Sequence, residues 1–227
     1  MTKKKIIALI LFMFCLLTFT ACGSNNVDLS KHVIEKRENL FVASDNLYSV
    51  SFSTGTRENK YNFDGVVNEM VPFGILTLTR NNNTPLANDT YSFIVTINDK
   101  TYSGFLENNN NSCSADLEVN TIGEESINVS ISFTGYTFNK NLENISKDFQ
   151  VDSNSALKVT QKELKKDIKN LISDSNVKFE VVMKIMKDYS SENVKKYYWY
   201  VGIISTNGDT MGVLIDANNG EVIAKKV

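Results

Sequence analysis

At 227 residues the chain is long enough for one domain or two modest ones, and its apolar fraction of 42% supports a real core. A formal charge of −2 leaves no electrostatic footprint for nucleic acid, so no such partner is expected. One histidine and three cysteines are little material for nucleophilic or metal-assisted catalysis.

Residues 1–21 read as a targeting segment rather than part of the fold. Lys3, Lys4 and Lys5 form a positive start, an apolar run follows from Ile6 to Phe19, and Thr20-Ala21-Cys22 closes it. A cysteine directly after small residues, then Gly23-Ser24-Asn25-Asn26, resembles the lipobox of bacterial lipoproteins, with Phe19 where that family usually has leucine. The resemblance implies cleavage before Cys22 and a diacylglyceryl thioether on it. The protein is then expected on the extracytoplasmic face of the cell membrane, with the membrane as a partner through its lipid anchor. Loss of three lysines takes the formal charge from −2 to −5, so the hold on the bilayer is the two acyl chains and not charge. Cys15 leaves with the signal and Cys22 is consumed, so Cys113 has no partner and no intrachain disulfide is expected. Cys113 lies in the polar stretch "ENNNNSCSAD" and reads as an incidental thiol in a loop.

Residues 22–44 read as the lipidated cysteine and a polar tether, with a short helix around "KHVIEKREN". From 45 to 150 the pattern has the two-residue period of strands. Tyr48, Val50 and Phe52 alternate with Ser49, Ser51 and Ser53. Tyr91, Phe93, Val95 and Ile97 share a face, and Asn98-Asp99-Lys100 reads as a tight turn. "GILTLT" adds a strand, and Ile127, Val129, Ile131 and Phe133 point inward. Half-buried antiparallel strands with Asn- and Gly-rich turns predict a β-sandwich-like domain, or a partly open barrel. The polar connection "STGTRENKYNFDG" carries Arg57, Glu58 and Asp64, which could bind a ligand, although a solvated hairpin loop is the simpler reading.

After residue 152 the period changes. Thr160-Gln161-Lys162-Glu163 fits a capping box, which predicts a helix over 161–173 carrying Leu164, Ile168, Leu171 and Ile172 on one face. "VKFEVVMKIMKD" follows with Val177, Phe179, Val181, Met183 and Ile185 against Lys178, Glu180 and Lys184. "YYWYVGIIST", "TMGVLIDA" and "EVIAKKV" complete a four-stranded antiparallel sheet. A capped helix followed by strands ending in Val213, Leu214, Ile215, Asp216, Ala217, Gly220, Glu221, Val222 and Ile223 resembles the PepSY domain over residues 155–227. The resemblance implies a non-catalytic extracytoplasmic module, of a kind that accompanies secreted proteases, and carries no catalytic residue.

The fold class expected is thus α+β and mainly β: an N-terminal β-sandwich-like domain at 45–150, then a helix plus four-stranded sheet at 155–227. The oxygens from Asp216 to Glu221 suggest a calcium loop, but Gly220 and Val227 fall where oxygen ligands are required, so the stretch predicts a hairpin and no metal site. No catalytic constellation or cofactor motif is present, so a non-enzymatic role is expected. The densest aromatic cluster is Tyr197, Tyr198, Trp199 and Tyr200, in strands apolar on both faces. The helix covers one face. The N-terminal domain, a second copy or a partner must cover the other. Together with Arg57 and Asp64 these aromatics are the candidate ligand or interface residues. The function expected is binding or regulation at the cell envelope, with an envelope protein or a protease as partner. A lipoprotein that binds cell-wall glycan or peptide is the alternative, and a hydrolase with unlocated carboxylates is a weaker one.

Overall fold

The computed structural model describes residues 27–81, 85–109, 111–173, 177–187 and 196–227. The targeting segment, Cys15 and Cys22 lie outside them. Among the described residues twelve strands run in chain order: β1 Val33–Ser44, β2 Tyr48–Glu58, β3 Met70–Arg80, β4 Tyr91–Ile97, β5 Lys100–Asn109, β6 Ser112–Leu117, β7 Ser126–Phe133, β8 Tyr136–Asn144, β9 Phe179–Lys187, β10 Tyr197–Ser205, β11 Thr210–Asp216 and β12 Val222–Lys226. Two short helices, α1 Ser153–Glu163 and α2 Lys165–Leu171, stand between β8 and β9.

All twelve strands form one continuous sheet, ordered β12-β11-β10-β9-β1-β2-β3-β6-β5-β4-β7-β8. The last strand returns to β1, where Phe41 pairs with Asn144 and Val42 with Glu143. Strands β1–β8 therefore close into an antiparallel barrel, filled by Phe41, Val50, Phe52, Leu76, Leu78, Phe93, Val95, Val129, Ile131 and Phe138. The expected sandwich is corrected here. Inward–outward alternation is common to a sandwich and a barrel. What separates them is the pairing of β8 with a strand about a hundred residues earlier, which alternation does not encode.

The expected tether over 22–44 is corrected as well, since Val33–Ser44 is strand β1 and not a helix or linker. Its apolar run Leu40-Phe41-Val42-Ala43 has the signature of a strand buried on both sides. Phe41 and Ala43 pack in the barrel core, while Leu40 and Val42 pack against the second core. A bulge between Arg37 and Asn39 turns β1 from one partner to the other. Before it, Val33–Arg37 pair in parallel with β9. After it, β1 closes the barrel.

The C-terminal strands are thus an extension of the barrel sheet through β1, not a separate helix-plus-four-strand domain, and the PepSY likeness does not hold. A strand–turn–strand ending is common to many sheets, so it could not fix the topology. The helices also differ from expectation. Asp152 caps α1, accepting from the Ser155 amide at 2.7 Å, whereas Thr160 sits inside the helix and donates to the Ala156 carbonyl at 2.9 Å. Leu164, with φ −102° and ψ 14°, breaks the segment into α1 and α2. Ala156, Leu157, Leu164 and Ile168 from this pair cover one face of β9–β11, forming a second core with Val181, Met183, Trp199, Val201, Val213 and Ile215. The turns follow expectation. Asn98 and Asp99 both have positive φ, as a two-residue hairpin needs, and Gly220 at φ +76° closes the β11–β12 turn.

Candidate functional site

The barrel interior is filled by side chains, so binding capacity lies on its outside and on the C-terminal sheet. The helices cover the face of that sheet that carries Tyr197, Trp199, Val201 and Ile203. Trp199 is 2% exposed and its indole N–H donates to the Val151 carbonyl at 2.8 Å. Tyr197 is buried against Phe149. These two expected interface residues are core.

Tyr198 and Tyr200 point to the opposite face and are half-buried. Met186, Leu214, Thr210 and Ala224 share this face, and with Tyr200 they line an open concavity of about 500 Å³. Tyr200 lies flat over two facing glycines. A Cβ on Gly202 would come within 2.7 Å of its hydroxyl oxygen, and one on Gly212 within 3.2 Å of its ring. The missing side chains give the ring its berth. No helix or loop among the described residues covers it there.

The concavity runs into a groove of about 290 Å³ where β9 and the barrel part company. β9 continues to Lys187, but its ladder with β1 ends at Lys184. Leu40 and Val42 form the floor beyond that point, and Ser49, Ser51, Ser53, Thr77 and Thr79 form the barrel wall. Arg37 and Lys184 are cross-strand neighbours at the head of the groove. Arg37 is bound to Glu35 at 2.6 Å. The Lys184 amine stands 5.8 Å from the Tyr200 ring centroid. Burial first, and the Arg37 charge second, hold its pKa below the ordinary lysine range, with Glu35 opposing.

Arg57 and Asp64 lie elsewhere and are occupied. Arg57 is paired with Asp116 and stacked 4.5 Å from the Phe73 centroid. Asp64 belongs to the β2–β3 loop, residues 59–69, where its carboxylate accepts from the Val66 amide at 2.9 Å. That loop is drawn onto β9 by Glu180, a wholly buried carboxylate that accepts from the Asp64 and Gly65 amides at 3.1 and 3.0 Å. Glu58, also buried, accepts from the Asn68 amide and side chain at 2.7 and 2.6 Å. Gly65, at φ +73°, passes so close to β9 that a Cβ there would sit 2.5 Å from Lys178 Cβ. Sequence periodicity put Glu180 on a solvent face. The loop that covers it comes from more than a hundred residues upstream.

The residue types that carry nucleophilic chemistry are also placed. Cys113 is in β6 within the barrel core, not in a loop, and burial pushes its thiol up to about 11. His32 ends a 3₁₀ turn at Leu29–His32, its ring 4.2 Å from Phe179, and burial lowers its pKa. Among the described residues no three His, Cys, Asp or Glu side chains gather as a metal site. The Asp216 and Asn219 side chains accept from the Asn218 and Glu221 amides, each at 2.8 Å, so their oxygens shape the turn.

No protein-family model and no curated protein matches the chain. The pairing of Arg37 with Lys184 is invisible in the sequence, because a parallel ladder between residues 33–37 and 181–184 leaves no local pattern. The one available signal was the apolar run at Leu40–Ala43, which marks β1 as a strand with two neighbours.

Proposed function

We propose that this is a lipid-anchored extracytoplasmic protein with a non-enzymatic binding role at the cell envelope. Its recognition surface is the face of the C-terminal sheet that no helix among the described residues covers, together with the adjoining groove. The observation that carries the binding role is that face: Tyr200, Met186 and Leu214 stand on one side of a sheet whose other side is sealed by helices. Aromatic and methionine side chains on a fixed platform are the usual anchors of recognition surfaces. The anchor rests on the Cys22 motif and its preceding apolar segment. Among the described residues no helix is long and apolar enough to cross a membrane.

A second occupant, a cell-wall glycan, is favoured by one detail. The Tyr200 ring lies flat on Gly202 and Gly212, which suits stacking under a sugar.

Two experiments test this role. In cells, Cys22→Ser abolishes lipid labelling and membrane fractionation. Membrane retention without any labelling of the native chain overturns the anchor. A photocrosslinker at Met186 of the full chain captures a defined envelope component on intact cells, identified by mass spectrometry, and one at Lys166 on helix α2 does not. Equal capture from both positions overturns the surface assignment.

A further inference from the structure

If the uncovered face and its groove form the binding surface proposed above, that surface has a chemical preference. We propose that the groove beside β9 accepts an extended acidic peptide, with a carboxylate of the peptide seated between Arg37 and Lys184.

Arg37 and Lys184 stand directly across from each other in the β1–β9 ladder. Like charges so placed repel and destabilise a sheet unless an anion lies between them. Glu35 answers part of this, but both its short contacts go to Arg37, from Nε at 2.7 Å and from Nη2 at 2.6 Å. The Lys184 amine makes no hydrogen bond or ion pair with any described residue and faces the ring of Tyr200. A half-buried ammonium held in this way is short of an acceptor. The incoming carboxylate supplies it and gains a charge-assisted hydrogen bond.

The shape of the groove favours a peptide strand as the bearer of that carboxylate. β9 runs on past its last pairing with β1 at Lys184, so Ile185 and Met186 lie beyond that ladder. An extended segment can lie along that edge in the manner of strand addition. Its outer side then meets the hydroxyls of Ser51, Ser53 and Thr77, and alternate apolar side chains reach Leu40, Val42 and Met186. The low pKa of Lys184 agrees with this arrangement, because a bound carboxylate would reverse the effect of burial and of Arg37.

The test uses the full chain in detergent micelles and a fluorescent hexapeptide alternating valine and glutamate, with glutamine in place of glutamate as control. The acidic peptide binds, the glutamine peptide binds about ten-fold more weakly or worse, and added salt weakens the acidic one. Lys184→Gln removes the discrimination between the two peptides, while Lys184→Arg keeps it. Circular dichroism matching wild type confirms that each variant is folded. On binding, the Lys184 side-chain pKa measured by NMR rises. Equal affinity for both peptides, or unchanged discrimination in Lys184→Gln, overturns the inference. If neither peptide binds but a wall glycan fragment perturbs the Tyr200 signals, the peptide inference fails and the binding role stands. If neither peptide nor glycan perturbs that face and Met186 captures no envelope component, both fail.

Discussion

Asp45 shows how a single carboxylate fastens the mouth of the barrel. It sits between β1 and β2, accepts from the Leu47 and Tyr48 amides at 2.8 Å each, and receives the Tyr136 hydroxyl from the start of β8. Burial pushes its pKa up, but the hydrogen bonds from Tyr136, Tyr48 and Leu47 outweigh this and hold it below the usual carboxylate value. Tyr136 moves the other way, pushed up to about 12 chiefly by its bond to Asp45. The signs differ at the two ends of the pH scale. The Asp45 contribution is present above its ordinary value of 3.8 and is lost as pH falls through the depressed one. The Tyr136 contribution is present below 10 and is lost as pH rises toward about 12. Tyr136→Phe is therefore expected to cost about 1 kcal/mol at neutral pH, a modest figure because the pair is partly exposed. Urea midpoints measured against pH should show the gap to wild type closing in acid and again in strong alkali. A gap independent of pH would mean that ring packing, not the hydrogen bond, is lost.

The β2–β3 loop poses the matching question for an element. A connection of 59–69, with three Asn and a Gly, looks free to move, yet Glu180 and Glu58 grip it from below through four hydrogen bonds. Glu180→Ala is expected to cost about 2–4 kcal/mol, since two hydrogen bonds to a buried acceptor go at once, and Glu180→Gln less because an acceptor remains. Hydrogen exchange at the Asp64 and Gly65 amides should speed up in the alanine variant, with the barrel amides unchanged. Unaltered exchange there would show that the loop holds itself. This grip also marks the limit of what the sequence discloses. Strand positions such as Tyr91–Ile97 and the turns at Asn98-Asp99 and Gly220 were legible, because period and turn residues are local properties. Barrel closure, the double duty of β1 and the burial of Glu180 were not. Each depends on segments about a hundred residues or more apart whose pairing is set by tertiary register. The candidate site divides in the same way. Tyr198 and Tyr200 stand out in their strand, whereas Arg37, Lys184 and the serine wall become one surface only when β1 meets β9.

For the molecule as a whole, β1 makes the two cores one cooperative unit. Leu40 belongs to the helix-covered core and Phe41 to the barrel, so neither can melt without disturbing their shared strand. Trp199→Ala should cost about 3–5 kcal/mol, as expected for emptying a buried indole site. It should shift a single unfolding transition, seen alike by barrel and sheet probes. Two separated transitions would mean that β1 does not couple the cores. The same strand has a mechanical meaning. Val27 lies only five residues beyond the anchor proposed at Cys22, at most about 18 Å of chain, so with that anchor the folded body would ride close to the bilayer. Any tug between that anchor and a bound partner would pass through Val27, held by Gln161, and the buried Leu29 into β1. There its ladders to β9, β2 and β8 would be strained side by side rather than unzipped one rung at a time. Tension would be shared among three ladders at the one strand that joins both cores.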